Sequence, residues 1–323
     1  MRVLVTGGAG FIGSHLCEAL VARGDEVFVL DDLSTGRFEN IEHLDTVKTV
    51  VDTTINQEIV RDLVREVDVV YHLAATVGVQ LVVNEPVRTI VNNIRGTETV
   101  LEEACRYRRK LLITSTSEVY GKGSRDTFGE EDDRVLGPTH RHRWCYAASK
   151  AIDEFLALAY WREKRHPVTI VRLFNTVGPR QTGRYGMVIP NFVRQALQNE
   201  PVTVFGDGKQ TRCFTYVGDV VPALVTLMDS DATNGQVYNI GSTMKTSMEG
   251  LARRVIERTG SSSELVYVPY ERAYGEGYED MRHREPCLKK INAAIGYDPK
   301  TTLDDILDYV IADLRGRLSA GNL

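Results

Sequence analysis

Tyr146 and Lys150 stand four residues apart in Tyr146-Ala147-Ala148-Ser149-Lys150, where a stretch of helical apolar spacing begins. That interval places a phenol and an ammonium on one helix face. A nearby ammonium favours the phenolate, so the spacing predicts a tyrosine pKa drawn down from about 10 towards neutrality. A phenol poised in this way takes or gives a proton at a hydroxyl group. Upstream, Ser115-Thr116-Ser117-Glu118-Val119-Tyr120-Gly121 follows the apolar run Leu111-Leu112-Ile113. This reads as the end of a buried strand, where Thr116 can bond the same hydroxyl. Tyr-x-x-x-Lys also recurs by chance on surface helices, and it gains meaning only beside a hydride acceptor.

The start of the chain supplies a place for one. Arg2–Thr6 reads as a buried strand, Gly7-Gly8-Ala9-Gly10-Phe11-Ile12-Gly13 follows at once, and residues 14–23 have helical spacing. Glycines at 7, 10 and 13 permit a tight turn, close backbone approach to a pyrophosphate, and close helix–strand packing. The helix start around Phe11 and Ile12 offers N–H groups to phosphates. A second strand over 26–30 ends in Asp31-Asp32, with Asp31 18 residues beyond Gly13. A carboxylate there bonds the adenosine ribose hydroxyls and repels a 2′-phosphate. Arg37 is the nearby residue able to accept such a phosphate, but the carboxylate favours NAD over NADP.

The elements that must position these groups alternate between strand and helix. A short strand over 46–51 precedes Asp52, placed for the adenine amino group, and a helix is predicted over 56–66. Residues 67–75 read as a buried strand leaving through Ala74 and Ala75, whose small side chains let the backbone lie against a cofactor. His72 reads as a packed strand-end histidine. A long helix over 87–108 and a strand from Lys110 then deliver the 115–121 motif. Past the Tyr146 helix, whose apolar stripe is wide enough to suggest a partner chain, a strand over 168–174 is expected. After it come a helix over 191–199, a strand over 202–205, a hairpin turn at 206–209 and a strand returning to the sheet at 237–240. Alternation of this kind implies a doubly wound parallel α/β sheet of Rossmann type.

Composition sets the remaining bounds. The 323 residues carry a net charge of −5, which makes no case for nucleic acid. Basic clusters at 106–110 and 141–143 read as a helix end and a solvated loop. No apolar run reaches membrane-spanning length, and the immediate entry into a strand leaves no room for a signal peptide. Five cysteines with no C-x-x-C pair suggest free thiols in a reducing cytoplasm. The seven histidines show no metal-ligand spacing.

Together, Gly7-x-x-Gly10-x-x-Gly13, Asp31, His72-Leu-Ala-Ala75, Tyr146-x-x-x-Lys150 and Arg172-Leu-Phe-Asn175 resemble an extended short-chain dehydrogenase/reductase of the nucleotide-sugar type. The resemblance spans nearly the whole chain. It implies a Rossmann NAD-binding domain over 1–178 with returning segments at about 214–241. A smaller, mostly helical nucleotide-sugar domain would take 179–213 and 242–323. It also implies a homodimer through helices near 90–108 and 147–164. Asn175, Asn191 and Arg212 fall where such proteins hold the substrate diphosphate, and Val204-Phe205 where they hold uracil.

Ser115 to Gly121, Gly208-Lys-Gln-Thr-Arg212-Cys-Phe214 and Tyr274-Gly-Glu-Gly-Tyr-Glu-Asp-Met-Arg-His-Arg284-x-Pro286 look most like UDP-glucuronate decarboxylases. There, the residues matching Glu118 and Arg284 are catalytic or substrate-binding. The alternative is a UDP-glucose or UDP-glucuronate 4-epimerase, which the Ala147-Ala148-Ser149 spacer resembles. A tyrosine that polymyxin-resistance decarboxylases place near the substrate carboxylate is missing from Gln80-Leu-Val82-Val-Asn-Glu85. A 4,6-dehydratase and a non-catalytic dinucleotide sensor are the remaining readings. In each enzyme reading, Tyr146 takes the 4-hydroxyl proton, Thr116 orients that hydroxyl, Lys150 tunes the phenol and holds the nicotinamide ribose, and a 4-keto sugar results.

Overall fold

The structure is a computed structural model. It describes residues 1–321 apart from 124, 185, 271, 273–280 and 282. The segment 274–280 of the decarboxylase-like motif therefore lies outside the described residues.

Seven parallel strands form the main sheet: β1 (Arg2–Thr6), β2 (Glu26–Asp31), β3 (Lys48–Val51), β4 (Val69–His72), β5 (Lys110–Thr116), β6 (Val168–Leu173) and β7 (Gln236–Ile240). Their order is β7-β6-β5-β4-β1-β2-β3. The sequence order reverses between β1 and β4, and the carboxyl ends of the strands there open the crevice in which such sheets bind ligands.

Alternate residues of each strand feed opposite faces. Val3, Val5, Val27 and Val29 pack with helices α1 (Phe11–Ala22) and α7 (Val217–Asp229). Leu4, Phe28, Leu30, Leu111 and Ile113 pack against α2 (Gln57–Glu66), α4 (Pro86–Arg106) and α5 (Trp144–Lys164). Both faces are covered, which is why the strands read as nearly continuous apolar runs. A short helix that the sequence did not foreshadow, α3 (Val79–Asn84), precedes α4.

Helix α5 ends where Arg165 adopts a left-handed conformation, φ 53°. Pro167 follows and disfavours further helix. A buried strut fixes the helix beneath the sheet ends. Glu154 of α5 receives Arg172 of β6 in a fork, Nε to Oε1 at 2.9 Å and Nη2 to Oε2 at 2.7 Å. The same guanidinium donates to the Tyr120 hydroxyl at 2.8 Å, which donates to Asn239 at 2.7 Å. Removing one member of such a buried pair typically costs about 3–5 kcal/mol.

A second apolar core lies beyond the sheet. It joins α6 (Val188–Leu197), α8 (Met248–Thr259), α10 (Leu303–Ser319) and the strand Val202–Phe205. Helix α9 (Lys289–Ile295) packs back against β7. Thr302 and Asp305 form a reciprocal capping box at the start of α10. The turn at 206–208 is present, but its flanking strands do not form the expected hairpin. Val202–Phe205 pairs in parallel with Leu265–Val268, and Thr211–Cys213 pairs antiparallel with Lys245–Ser247. Both partners lie far down the chain, beyond the reach of local turn chemistry.

Candidate active site and cofactor cavity

Two adjoining cavities open at the carboxyl edge of the sheet and share Phe11, Ile12, Leu73, Ala75 and Met187 as walls. The first, of about 210 Å³, is lined by Gly7, Gly10, Phe11, Ile12, Gly13, Asp31, Asp52 and Ala74. Every residue that the sequence assigned to the cofactor except Lys150 therefore meets in one place.

The local geometry explains the residue types. Gly7 has φ +73°, and a Cβ on it would lie 2.8 Å from the Ala74 nitrogen. Only glycine leaves β1 and β4 this close while the chain turns. Asp31 accepts the Ala9 N–H at 3.0 Å and the Leu33 N–H at 2.9 Å, so it braces the glycine loop as well as facing the cavity. Burial raises its carboxyl above the ordinary range. Asp52 is fixed by the Thr53 N–H at 2.7 Å and the Asn56 amide at 3.0 Å. A cradle of backbone that any Cβ would fill, ringed by two fixed carboxylates, fits a dinucleotide.

The second cavity, of about 540 Å³, is lined by Thr116, Glu118, Tyr146, Asn175, Asn191, Phe205, Arg212 and Arg284. Val204 departs from expectation. Strand alternation points its side chain into the second core, and Thr203 and Phe205 face the cavity instead. Asn175 and Asn191 are held by the Cys213 and Gly183 carbonyls at 2.9 and 3.0 Å. Arg212 donates to the Thr211 carbonyl at 2.8 Å and is only 7% exposed.

Glu118 is the electrostatic centre. Its Oε1 lies 2.8 Å from Nη1 of Arg284, which also donates to the Ser117 hydroxyl at 3.1 Å. Its Oε2 lies 3.5 Å from Nη2 of Arg143. Burial raises the Glu118 carboxyl, but the charges of Arg143, Arg284 and Arg212 outweigh that and hold it at about 2. Arg143 is a finding that the sequence reading missed. Arg141-His142-Arg143 was expected in a solvated loop, yet Arg143 is 8% exposed and sits at the start of α5. Its position three residues before Tyr146 was the available signal.

Tyr146 corrects a second expectation. Its pKa is raised rather than lowered. Burial is the largest cause, followed by the carboxylates of Glu118 and Asp153, while Thr116 and Arg284 act in the opposite direction. Lys150 does not dominate because its ammonium is already paired. Its Nζ lies 2.8 Å from Asp153 Oδ2, and the two side chains are only 2% and 1% exposed. Thr116 receives the Glu118 N–H at 3.2 Å, which pins its hydroxyl beside the phenol. His72 is buried between the Thr6 and Thr97 hydroxyls at 2.7 and 3.1 Å. Burial, helped by Lys150, depresses it to about 3, so it stays a neutral structural side chain.

Known proteins can now be set beside this geometry. Residues 3–241 match the model of the NAD dependent epimerase/dehydratase family. The chain belongs to that family. It is 42% identical over 312 residues to UDP-N-acetyl-alpha-D-glucosaminuronate decarboxylase of Bacillus cytotoxicus, covering 96% of both chains. It is 38% identical over 318 residues to UDP-glucuronic acid decarboxylase 1 of Arabidopsis thaliana, covering 98% of this chain and 71% of that one. The structure of UDP-glucuronic acid 4-epimerase from Bacillus cereus, in complex with UDP-glucuronic acid and NAD, superposes with a TM-score of 0.88. It is 28% identical and covers 98% of this chain and 99% of its own. The Rossmann sheet, the NAD dependence and the nucleotide-sugar enzyme class expected from sequence are all supported by these likenesses.

One consequence of the Lys150–Asp153 pair is measurable. The Asp153 carboxylate disfavours the Tyr146 phenolate, so Asp153→Asn lowers the tyrosine pKa while keeping the side-chain shape. The acid limb of the kcat/KM–pH profile then moves to lower pH. An unmoved limb in an active variant would show that Asp153 does not set the phenol.

Proposed function

We propose that this enzyme is a UDP-hexuronate decarboxylase acting through a 4-keto sugar. The observation that carries the reading is Glu118, kept ionised among Arg143, Arg212 and Arg284 within the cavity that holds Tyr146. Arg143, Arg212 and Arg284, gathered beside Tyr146, suit a diphosphate and a C6 carboxylate.

When bound in the cavity of the glycine loop, NAD⁺ would supply the two-electron acceptor for oxidation of the C4 alcohol to a ketone. Tyr146, in its ionised form, takes the proton of the 4-hydroxyl, and Thr116 orients that hydroxyl. Lys150, anchored by Asp153, would hold the nicotinamide ribose. Arg284 and Arg143 orient the C6 carboxylate. Once C4 is a ketone, the β-keto acid loses CO2, because the ketone accepts the electrons of the breaking C5–C6 bond, and the resulting enolate takes a proton from solvent at C5. Glu118, held near 2, begins as a base and an anchor for the arginines rather than as an acid. Asn175, Asn191 and Arg212 serve the diphosphate, and Phe205 the uracil.

The cofactor-binding unit is assigned to 1–178 with about 214–241, and the nucleotide-sugar unit to 179–213 with 242–323. The apolar core that joins α6, α8 and α10 supports this division, while Ile291 and Tyr297 of the second unit pack back into the core of the sheet. No described helix is long and apolar enough to cross a membrane. Free thiols at Cys17, Cys105, Cys145, Cys213 and Cys287 support a cytoplasmic setting.

A second reading, the 4-epimerase, is favoured by α3. Its Val82 lines the cavity, in the stretch where polymyxin-resistance decarboxylases resembled by the sequence carry a tyrosine for the substrate carboxylate. Mass spectrometry after incubation with NAD⁺ and either UDP-glucuronate or its 2-acetamido analogue separates the two. Loss of CO2 from either substrate supports decarboxylation, and an isomer of unchanged mass from both would replace that reading with epimerisation. Tyr146→Phe should lower turnover by about 10²–10⁴-fold and leave NAD binding intact.

The enzyme is further assigned as a homodimer through α4 and α5. Val87 and Phe155 are 75% and 61% exposed there, beside Ile90, Val91 and Ile152. Light scattering should find a dimer that Phe155→Glu converts to monomer; a monomeric wild-type protein would refute the assignment.

A further inference from the structure

Part of the wall of the cofactor cavity does not belong to the Rossmann sheet. It is built by Arg180, Gln181 and Thr182, which follow β6, and by Arg317 from the last turns of α10. Arg180 and Arg317 carried no assigned role in the sequence reading. Arg180 has φ +68°, a conformation that a non-glycine residue adopts only when its surroundings fix it. Those surroundings are explicit. The Arg180 N–H donates to Asp313 Oδ2 at 3.1 Å, and its Nη2 pairs with Glu18 of α1. Arg317 pairs with the same Asp313 oxygen. His15 and His43 both approach Glu18, and His15 also contacts the Pro179 carbonyl at 3.1 Å. Helix α1 leaves directly from the glycine loop, so this cluster ties that loop to α10.

The pairing is incomplete in a particular direction. Among the described residues, Arg180 Nη1 and Arg317 Nε are buried donors with no protein partner, and Gln181 Oε1 is a buried acceptor with none. All three side chains line the same cavity. Buried donors are rarely left unmet. A guanidinium has five N–H donors in a fixed fork, so one carboxylate does not exhaust it. The same cavity offers the N–H groups of a helix start at Phe11, Ile12 and Gly13, which suit phosphate oxygens.

We propose that Arg180 and Arg317 bind the dinucleotide pyrophosphate together with the glycine loop, so that the cofactor is held by both α1 and α10. Two guanidiniums match the two negative charges of a diphosphate, and each keeps its carboxylate partner on its far side as an anchor. Gln181 supplies the acceptor for a ribose hydroxyl beside them. Cofactor occupancy and the position of α10 are thereby coupled. This rests on the cofactor assignment and not on which sugar reaction follows.

The test is equilibrium binding by calorimetry on the nucleotide-stripped full chain, with NAD, ADP-ribose and adenosine as probes. Arg317→Ala and Arg180→Ala should each weaken NAD and ADP-ribose at least tenfold and leave adenosine unchanged. They should also flatten the salt dependence of NAD binding. Arg317 is partly exposed, so its variant carries the test should the Arg180 variant not fold. Unchanged NAD affinity in the Arg317 variant would overturn the proposal. An equal loss for adenosine would do the same, by reducing the cluster to a structural latch. A wild-type protein that bound no NAD would instead sink the cofactor assignment itself.

Discussion

A carboxylate kept ionised inside a protein needs compensating charge, and Glu118 obtains it from three arginines on separate segments. It stands just past β5. Arg143 comes from the start of α5, Arg212 from the strand Thr211–Cys213, and Arg284 from the residue before the strand Glu285–Pro286. The four segments converge because the main sheet and the second core are each closed, and because the Glu154–Arg172 strut locks α5 against β6. Desolvating an unpaired carboxylate would cost several kcal/mol. The site can therefore exist only when the whole chain is folded around it.

The same economy of charge governs the proton-transfer pair. Lys150 is buried and already matched by Asp153, and Tyr146 lies between two carboxylates. The phenol is thus held neutral, with Thr116 and Arg284 working against that state. Activation of the tyrosine is then tied to arrivals that change the local charge, rather than to the lysine alone.

Much of this was legible in sequence where the determinants are local. The glycine loop, Asp31, the strand–helix alternation and the returning strand at 236–240 each depend on neighbours along the chain, and each stands in the fold. The failures share a cause. Arg143 reads as a surface residue until Glu118, 25 positions upstream, is brought against it. The turn at 206–208 reads as a hairpin until both flanking strands find partners farther along the chain. The tyrosine pKa reads as lowered until Asp153 is seen to claim the lysine. Val204 is displaced from its expected place by strand alternation alone, which the sequence did contain. Arg317 lay in an ordinary amphipathic helix, and nothing local pointed it at the glycine loop.

Hydrogen exchange at C5 of the sugar tests the central claim most directly. UDP-glucuronate turned over with NAD⁺ in D2O should yield a nucleotide pentose that has lost CO2 and carries one deuterium at C5, where the C5–C6 electrons returned. A C4 isomer of unchanged carbon count, with no deuterium at C5, would contradict the account and leave the arginine cluster as a carboxylate receptor for an epimerase.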